Sequence, residues 1–445
     1  MSKFTRRDFI KLTGLVTAAT STGLGASLTQ AVESKASIGK NLLAAASLPK
    51  AKGARVVVVG GGWSGLTIAK YLKKEHPKFD VVMIEKRAMF MSCPISNLWL
   101  ADVVNLEFLH RSFLDAARNG GYTFFNATVV DVDRNSRKVY TEQGYVKYDY
   151  LVLAPGIDYD YASIGVTSPE DEYALKTQYP AGFMPGSEHI SIKNKLAGFE
   201  GGVFLLTVPG GNYRCLPGPY ERACMVSAIF KKEKIKGKVI LLDANPDITI
   251  KKDGFHAAFK QLYNGILEYH NSAEIRSVNV AAREVKTEFD TFKFDDAAIY
   301  PRIRGARLIE QLGMVDPHSM QKEANIDQLK YHLIGDEHVY ITGDSRPMPF
   351  SKSGNTSNSE GKFVAKLIAA HAMGKDIKWQ SPHTVCYSGV SIDPLESISV
   401  DAHYKYDPKE KSFAFDKVQL FEKWDTARGE ANLEWARGLY RDMFA

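Results

Sequence analysis

The sequence predicts an α/β chain of two Rossmann-like, dinucleotide-binding-type domains followed by a C-terminal cap. Three observations predict it. A glycine-rich turn joins an apolar strand to a helix near residue 60, a second strand–loop–helix–strand unit starts near residue 203, and two other apolar strands end in Ala154-Pro155-Gly156 and Gly343-Asp344. Strand and helix alternating in this way build a mainly parallel sheet covered by helices, with right-handed crossovers. At 445 residues the chain exceeds one ordinary core, so two or three domains are expected.

The first unit reads ARVVVVGGGWSGLTIAKYLKKEHPKFDVVMIEK. Val56–Val59 form its first strand, Leu66, Ala69 and Leu72 mark the inner helix face, and Val81–Ile84 form the second strand, ending on Glu85. Gly60, Gly62 and Gly65 stand at G-x-G-x-x-G spacing, in the context a dinucleotide cradle requires. Gly60 permits the tight turn, Gly62 lets a pyrophosphate approach the backbone, and Gly65 lets the helix pack on the strand. The helix N-terminus offers unpaired N–H groups to the phosphates. Glu85, 20 residues after Gly65, is placed to hold ribose hydroxyls.

This motif alone does not separate FAD from NAD. The segments Tyr148–Gly156 and Tyr340–Asp344 point to FAD. They resemble the later motifs of two-dinucleotide-domain flavoproteins, in which the aspartate binds near the ribityl chain and pyrophosphate. The candidate FAD-binding set is Gly60, Gly61, Gly62, Trp63, Ser64, Gly65, Glu85, Val130, Ala154, Gly156, Gly343 and Asp344.

In the second unit, residues 203–208 and 239–243 read as strands, the latter ending on Asp243. Between them lies PGGNYRCLPGPYERACMVSAIFKK. After Gly210, Asn212 and Cys215 occupy the offsets where a second glycine motif would stand, and Pro209, Pro217 and Pro219 lack backbone donors. NAD(P)H is therefore not expected as a substrate. Cys215 precedes a helix expected to begin near Tyr220, and that N-terminus together with Arg214 would stabilise a thiolate. Glu221, one turn from Cys224, reads equally as a base near the thiol or as an ordinary first-turn acid.

Composition excludes several classes. A 44% hydrophobic and 24% charged content is that of a globular chain. The net charge of +6 includes Lys3, Arg6, Arg7 and Lys11, and no basic run interleaved with aromatics suggests nucleic acid. TRRDFIK followed by an apolar, small-residue stretch ending near Ala31 has the layout of a twin-arginine export signal, so a periplasmic location is expected. No other stretch is apolar enough to span a membrane. The four cysteines, Cys93, Cys215, Cys224 and Cys386, are too scattered for a structural framework, and with no CxxC or CxxCH neither a metal site nor covalent haem is expected.

The segments GGGWSG, CPISN at 93–97, YRCLPGPYERA, SKSGNTSNSEGK at 351–362 and TVCYS around Cys386 together resemble the flavoprotein subunit of flavocytochrome c sulfide dehydrogenase, among the wider sulfide:quinone reductase relatives. The resemblance implies a disulfide-reductase-like flavoprotein in which Cys215 and Cys386 form a redox disulfide beside FAD. It also implies that Cys93 carries the flavin as a thioether, although Pro94 stands where the family pattern has an aromatic residue. It assigns Cys224 no role, and a buried packing thiol is expected there. Sulfide is the implied substrate and a separate c-type cytochrome the implied acceptor. Membrane quinone is the alternative acceptor, and a non-catalytic flavoprotein partner of sulfur oxidation is the alternative function. The expected organisation is a signal at residues 1–31, an FAD domain at 53–160 and 290–370, a second Rossmann-like domain at 161–289, and a flavin-capping segment at 371–445. The charge-rich tail is expected to dock on this chain or on a partner.

Overall fold

The computed structural model describes residues 44–445, so the expected export segment lies outside the described residues. The chain begins with β1 (Arg55–Val59), α1 (Trp63–Glu75) and β2 (Asp80–Glu85), then α2 (Ser96–Leu100), β3 (Thr123–Asn126), β4 (Tyr150–Leu153) and α3 (Ser187–Ala197). The second unit comprises β5 (Gly201–Val208), α4 (Gly218–Glu233), β6 (Lys236–Asp243), α5 (Lys252–Leu262), β7 (Leu267–His270) and β8 (Asp296–Ala298). The chain then returns through β9 (His332–Leu333), β10 (Asp336–Ile341) and α6 (Gly354–Ala372). It closes with β11 (His383–Ile392), β12 (Leu395–Asp407), β13 (Ser412–Asp425) and α7 (Thr426–Phe444).

The first sheet has the order β9-β10-β4-β1-β2-β3. β1 lies in the middle, parallel to both β2 and β4. Its Val56, Val57 and Val58 are fully buried, as the unbroken β-branched run of a strand covered on both faces should be. α6 lies along α1, and Gly361 lets the two approach: a Cβ there would stand 3.1 Å from the Ser64 carbonyl oxygen. The second sheet has the order β7-β6-β5-β8, with β5 and β6 in parallel register over their whole length. α4 crosses between them and begins at Gly218, two residues before the expected start. The early start is compatible with Pro219, because the first turn of a helix has no partner for its N–H groups.

The third sheet is the antiparallel β11-β12-β13, and α7 folds back from it onto the first layer. Asp425 caps α7 by accepting from the Arg428 N–H. Tyr440 packs on Trp63 with ring centroids 6.0 Å apart, and Phe444 packs on Phe90 at 5.2 Å. Lys70 donates to the Asp442 carbonyl at 2.7 Å, and Tyr71 donates to its carboxylate at 2.7 Å. The charge-rich tail thus docks on this chain. Among the described residues no helix is long and apolar enough to cross a membrane.

Candidate active site

A cavity of about 550 Å³ runs from the β1–α1 turn to the loop before α4 and to β11. At the first end, Gly60 has φ +103° and a Cβ there would meet the Ala154 carbonyl at 2.3 Å. A Cβ at Gly65 would meet the Gly60 carbonyl at 1.8 Å, so the turn closes only with glycine at both positions. Gly62 faces open space where a ligand can reach the backbone. α1 has no side-chain cap and no acid in its first turn, which leaves its N-terminal N–H groups for an anion.

Glu85 is buried and accepts from the Gly61 N–H at 2.7 Å and from the Arg87 guanidinium. Burial pushes its carboxyl up, but Arg87 and the backbone donors together hold it below the usual range. Gly61 turns away from the cavity, toward Phe113. Trp63, Ser64, Ala154, Gly156 and Gly343 line the cavity with Gly60 and Gly62. Asp344 is buried; one carboxylate oxygen accepts from Arg214 Nε at 2.5 Å, whereas Oδ1 has no partner. Burial opposes its ionisation, yet the Arg214 and Lys352 cations hold it low. An unpartnered buried acceptor beside a pyrophosphate cradle fits the hydroxyl donors of a flavin dinucleotide.

The Val130 side chain faces elsewhere. Val130 is 45% exposed and does not line the cavity; its neighbour Val129 does. The strand pairing shifts register between Val129 and Asp131, and this irregularity sets which of the two valine side chains faces the cavity.

At the other end the two distant cysteines meet. Cys215 adopts φ +59°, its N–H donates to the Lys352 carbonyl at 2.9 Å, and its own carbonyl accepts from the Gly218 N–H at 2.7 Å. Cys386 sits within β11 opposite Val400. The thiols lie close enough to shift each other's ionisation, both line the cavity, and Cys386 Sγ is 3.5 Å from the Tyr387 carbonyl oxygen. Cys215 keeps the proton and is pushed up, by Cys386 and by burial. Cys386 is held low by the Cys215 thiol, against burial, with help from the Lys251 ammonium. Lys251 itself is 1% exposed; its ammonium donates to Ser388 Oγ at 2.6 Å and to the Cys386 carbonyl at 3.3 Å.

Glu221 also lines the cavity, with its oxygens held by Asn97 Nδ2 at 2.8 Å and the Gly389 N–H at 2.7 Å. Burial pushes its carboxyl up despite these donors, which favours the protonated form relative to an exposed glutamate. Cys93 lines the cavity between the two ends; burial raises its thiol, opposed by Arg214 and Arg222. Cys224 lies buried on α4, away from the cavity lining.

Gly218, Asn97, Arg222 and Lys251 were not singled out from the sequence. The first three fall within its quoted motifs, but Lys251 falls in none. Gly218 makes room for the sulfur, since a Cβ there would stand 2.9 Å from Cys215 Sγ. Gly218→Ala should therefore displace this sulfur and slow any reaction that passes through it about ten- to a hundredfold. An unaltered stopped-flow rate would show that the position of this sulfur is not critical.

In the second unit, Asp243 occupies the place of a ribose-binding acid. It is fully buried and accepts from Tyr220 Oη at 2.7 Å, Tyr269 Oη at 2.9 Å and the Asn245 N–H at 2.8 Å. These internal partners leave it poorly placed to receive a nicotinamide dinucleotide.

Residues 191–301 match the family model described as "Sulfide dehydrogenase [flavocytochrome c] flavoprotein chain, central", and residues 54–174 match "Pyridine nucleotide-disulphide oxidoreductase". The chain is 51% identical over 43 residues to the sulfide dehydrogenase [flavocytochrome c] flavoprotein chain of Chlorobaculum thiosulfatiphilum, covering 10% of this chain and 90% of that one. It is 24% identical over 361 residues to a type II NADH:quinone oxidoreductase of Staphylococcus haemolyticus, covering 75% and 87%. Its fold is similar to the crystal structure of the sulfide:quinone oxidoreductase from Aquifex aeolicus, with a TM-score of 0.72 at 15% identity over 88% of this chain and 92% of that one.

Proposed function

Because the chain belongs to the flavoprotein family of flavocytochrome c sulfide dehydrogenase and the related sulfide:quinone reductases, we propose that it is an exported, FAD-dependent sulfide dehydrogenase that delivers electrons to a separate c-type cytochrome. The carrying observation is the meeting of Cys215 and Cys386 in the cavity that also holds the dinucleotide cradle. FAD, held by the β1–α1 turn, Glu85 and Asp344, supplies an acceptor that takes two electrons and releases them singly.

The chain's own residues account for the sulfur chemistry. Hydrosulfide attacks a Cys215–Cys386 disulfide; the S–S bond breaks, one cysteine becomes a persulfide and the other leaves as thiolate. Cys386 is the better leaving group, because the Lys251 ammonium favours its charged form. Glu221 holds or returns the proton that accompanies the substrate. A second nucleophile removes the persulfide sulfur, and re-forming the disulfide then releases two electrons. Cys93 is the residue proposed to bond the flavin.

Quinone is the second reading for the acceptor. It is favoured by the exposed apolar side chains Phe415, Val418, Leu420 and Phe421 on β13, which offer a surface to something apolar. Mixing sulfide-reduced protein with cytochrome c or with a short-chain quinone distinguishes the two by which one reoxidises the flavin.

Sulfide is expected to bleach the flavin absorbance of the purified protein, and NADH to leave it unchanged. After acid denaturation the flavin should stay in the pellet for the natural chain and appear in the supernatant for Cys93→Ala. Bleaching by NADH would move the protein to the pyridine-nucleotide reductases, and release of flavin from the natural chain would remove the role given to Cys93.

A further inference from the structure

Away from the flavin cavity, His383, Asp401 and His403 gather on one face of the C-terminal sheet. His383 on β11 is the register partner of His403 on β12, and Asp401 precedes His403 by two residues. Residues two apart on a strand share a face, and directly opposed residues bring their Cβ atoms within about 5 Å. The imidazoles stack with centroids 4.3 Å apart at 6°. His383 Nε2 is 2.8 Å from Asp401 Oδ1, and one ligand atom from each residue lies within 4.8 Å of the others. All three residues are half-buried, so the ring and carboxylate torsions can adjust while solvent reaches the site.

The backbone beneath them is fastened. The His383 N–H donates to Ser359 Oγ at 2.9 Å, the Val385 N–H to Asn355 Oδ1 at 2.7 Å, and Thr384 Oγ1 is 2.7 Å from Thr356 Oγ1. These bonds tie β11 to α6 and fix one side of the cluster.

We propose that His383, Asp401 and His403 bind a divalent first-row transition ion of the zinc and copper class, a site the sequence reading did not expect. Two imidazoles and one carboxylate suit these ions, whereas calcium and magnesium want oxygen donors. Three protein ligands leave a fourth position for water or an anion. Ligand atoms about 2.1 Å from an ion sit roughly 3.4 Å apart in a tetrahedral site, so the wider separations close by rotation about side-chain torsions. The ion would clamp β11 to β12 three residues from Cys386, and would be distinct from any metal taken by the thiols. This inference does not rest on the proposed activity.

The test is equilibrium dialysis of the flavin-loaded protein against Zn²⁺, followed by elemental analysis, with the natural chain, His403→Ala and His383→Ala/His403→Ala compared. One zinc per chain, held at least about tenfold more weakly by His403→Ala and lost from the double variant at unchanged flavin content, is the expected result. Zinc retained by the double variant, or no zinc bound by the natural chain, overturns the proposal. Should the double variant lose its flavin, X-ray absorption of the zinc-loaded natural chain decides. Two imidazole ligands without sulfur support the site, and sulfur in the first coordination sphere overturns it.

Discussion

Cys215→Ser abolishes reduction of the flavin by sulfide, with a fall of at least about 10³-fold in the single-turnover rate, because the two sulfurs act as one unit. Dithionite still bleaches the flavin, which shows that the fold and cofactor are intact. Cys386→Ser behaves the same way, and the double variant is no slower than either single one, since removing one sulfur already removes the disulfide. Stopped-flow absorbance of the flavin reads all three. Additive losses in the double variant would mean that the cysteines serve separate steps. A rate within tenfold of the natural chain would place the sulfur chemistry elsewhere in the cavity.

Lys251→Met gives the second large effect, and its sign follows from charge. The Lys251 ammonium lies close enough to Cys386 to favour its thiolate, and it adds to the effect of Cys215. A neighbouring cation lowers a thiol's pKa, so removing it raises the pKa and less thiolate is present at a given pH. The acid limb of the pH–rate profile for flavin reduction therefore moves to higher pH by about one unit or more, and the rate at neutral pH falls by about tenfold or more. Raising the pH restores much of the lost rate. The melting temperature should hold, because Met fills a comparable volume and removes a buried cation whose ionisation burial already opposes. A profile that falls uniformly at all pH values would instead make Lys251 a packing residue.

How legible the site was depends on how local its residues are. The cradle was readable because Gly60, Gly62, Gly65 and Glu85 lie within one β–α–β unit, where sequence spacing fixes geometry. Cys215 was readable from its proline- and glycine-rich loop. Its contact with Cys386 was not, because it depends on how β11 lies against the loop before α4. Residue type and spacing do not determine that packing, and only the family resemblance pointed to it. Lys251 was invisible for a different reason. It stands in a left-handed conformation just ahead of α5, next to Lys252 and Asp253 in a charged stretch, yet its side chain turns inward. Which of Val129 and Val130 faces the cavity was not readable, because the strand pairing shifts register between Val129 and Asp131. The charge-rich tail was read as a docking segment, but which surface received it depended on Trp63 and Phe90, far away in the chain.

α7 has a consequence for the order of synthesis. Asn432 and Trp435 on this helix form part of the cavity wall, and Tyr440 and Phe444 seal it against Trp63 and Phe90. A ribosome must therefore release almost all of the described chain before that wall exists. A nascent chain stopped short of Thr426 would carry the phosphate cradle and both cysteines but not the helix that covers them. The cavity is therefore closed only once α7 has folded back onto Trp63 and Phe90.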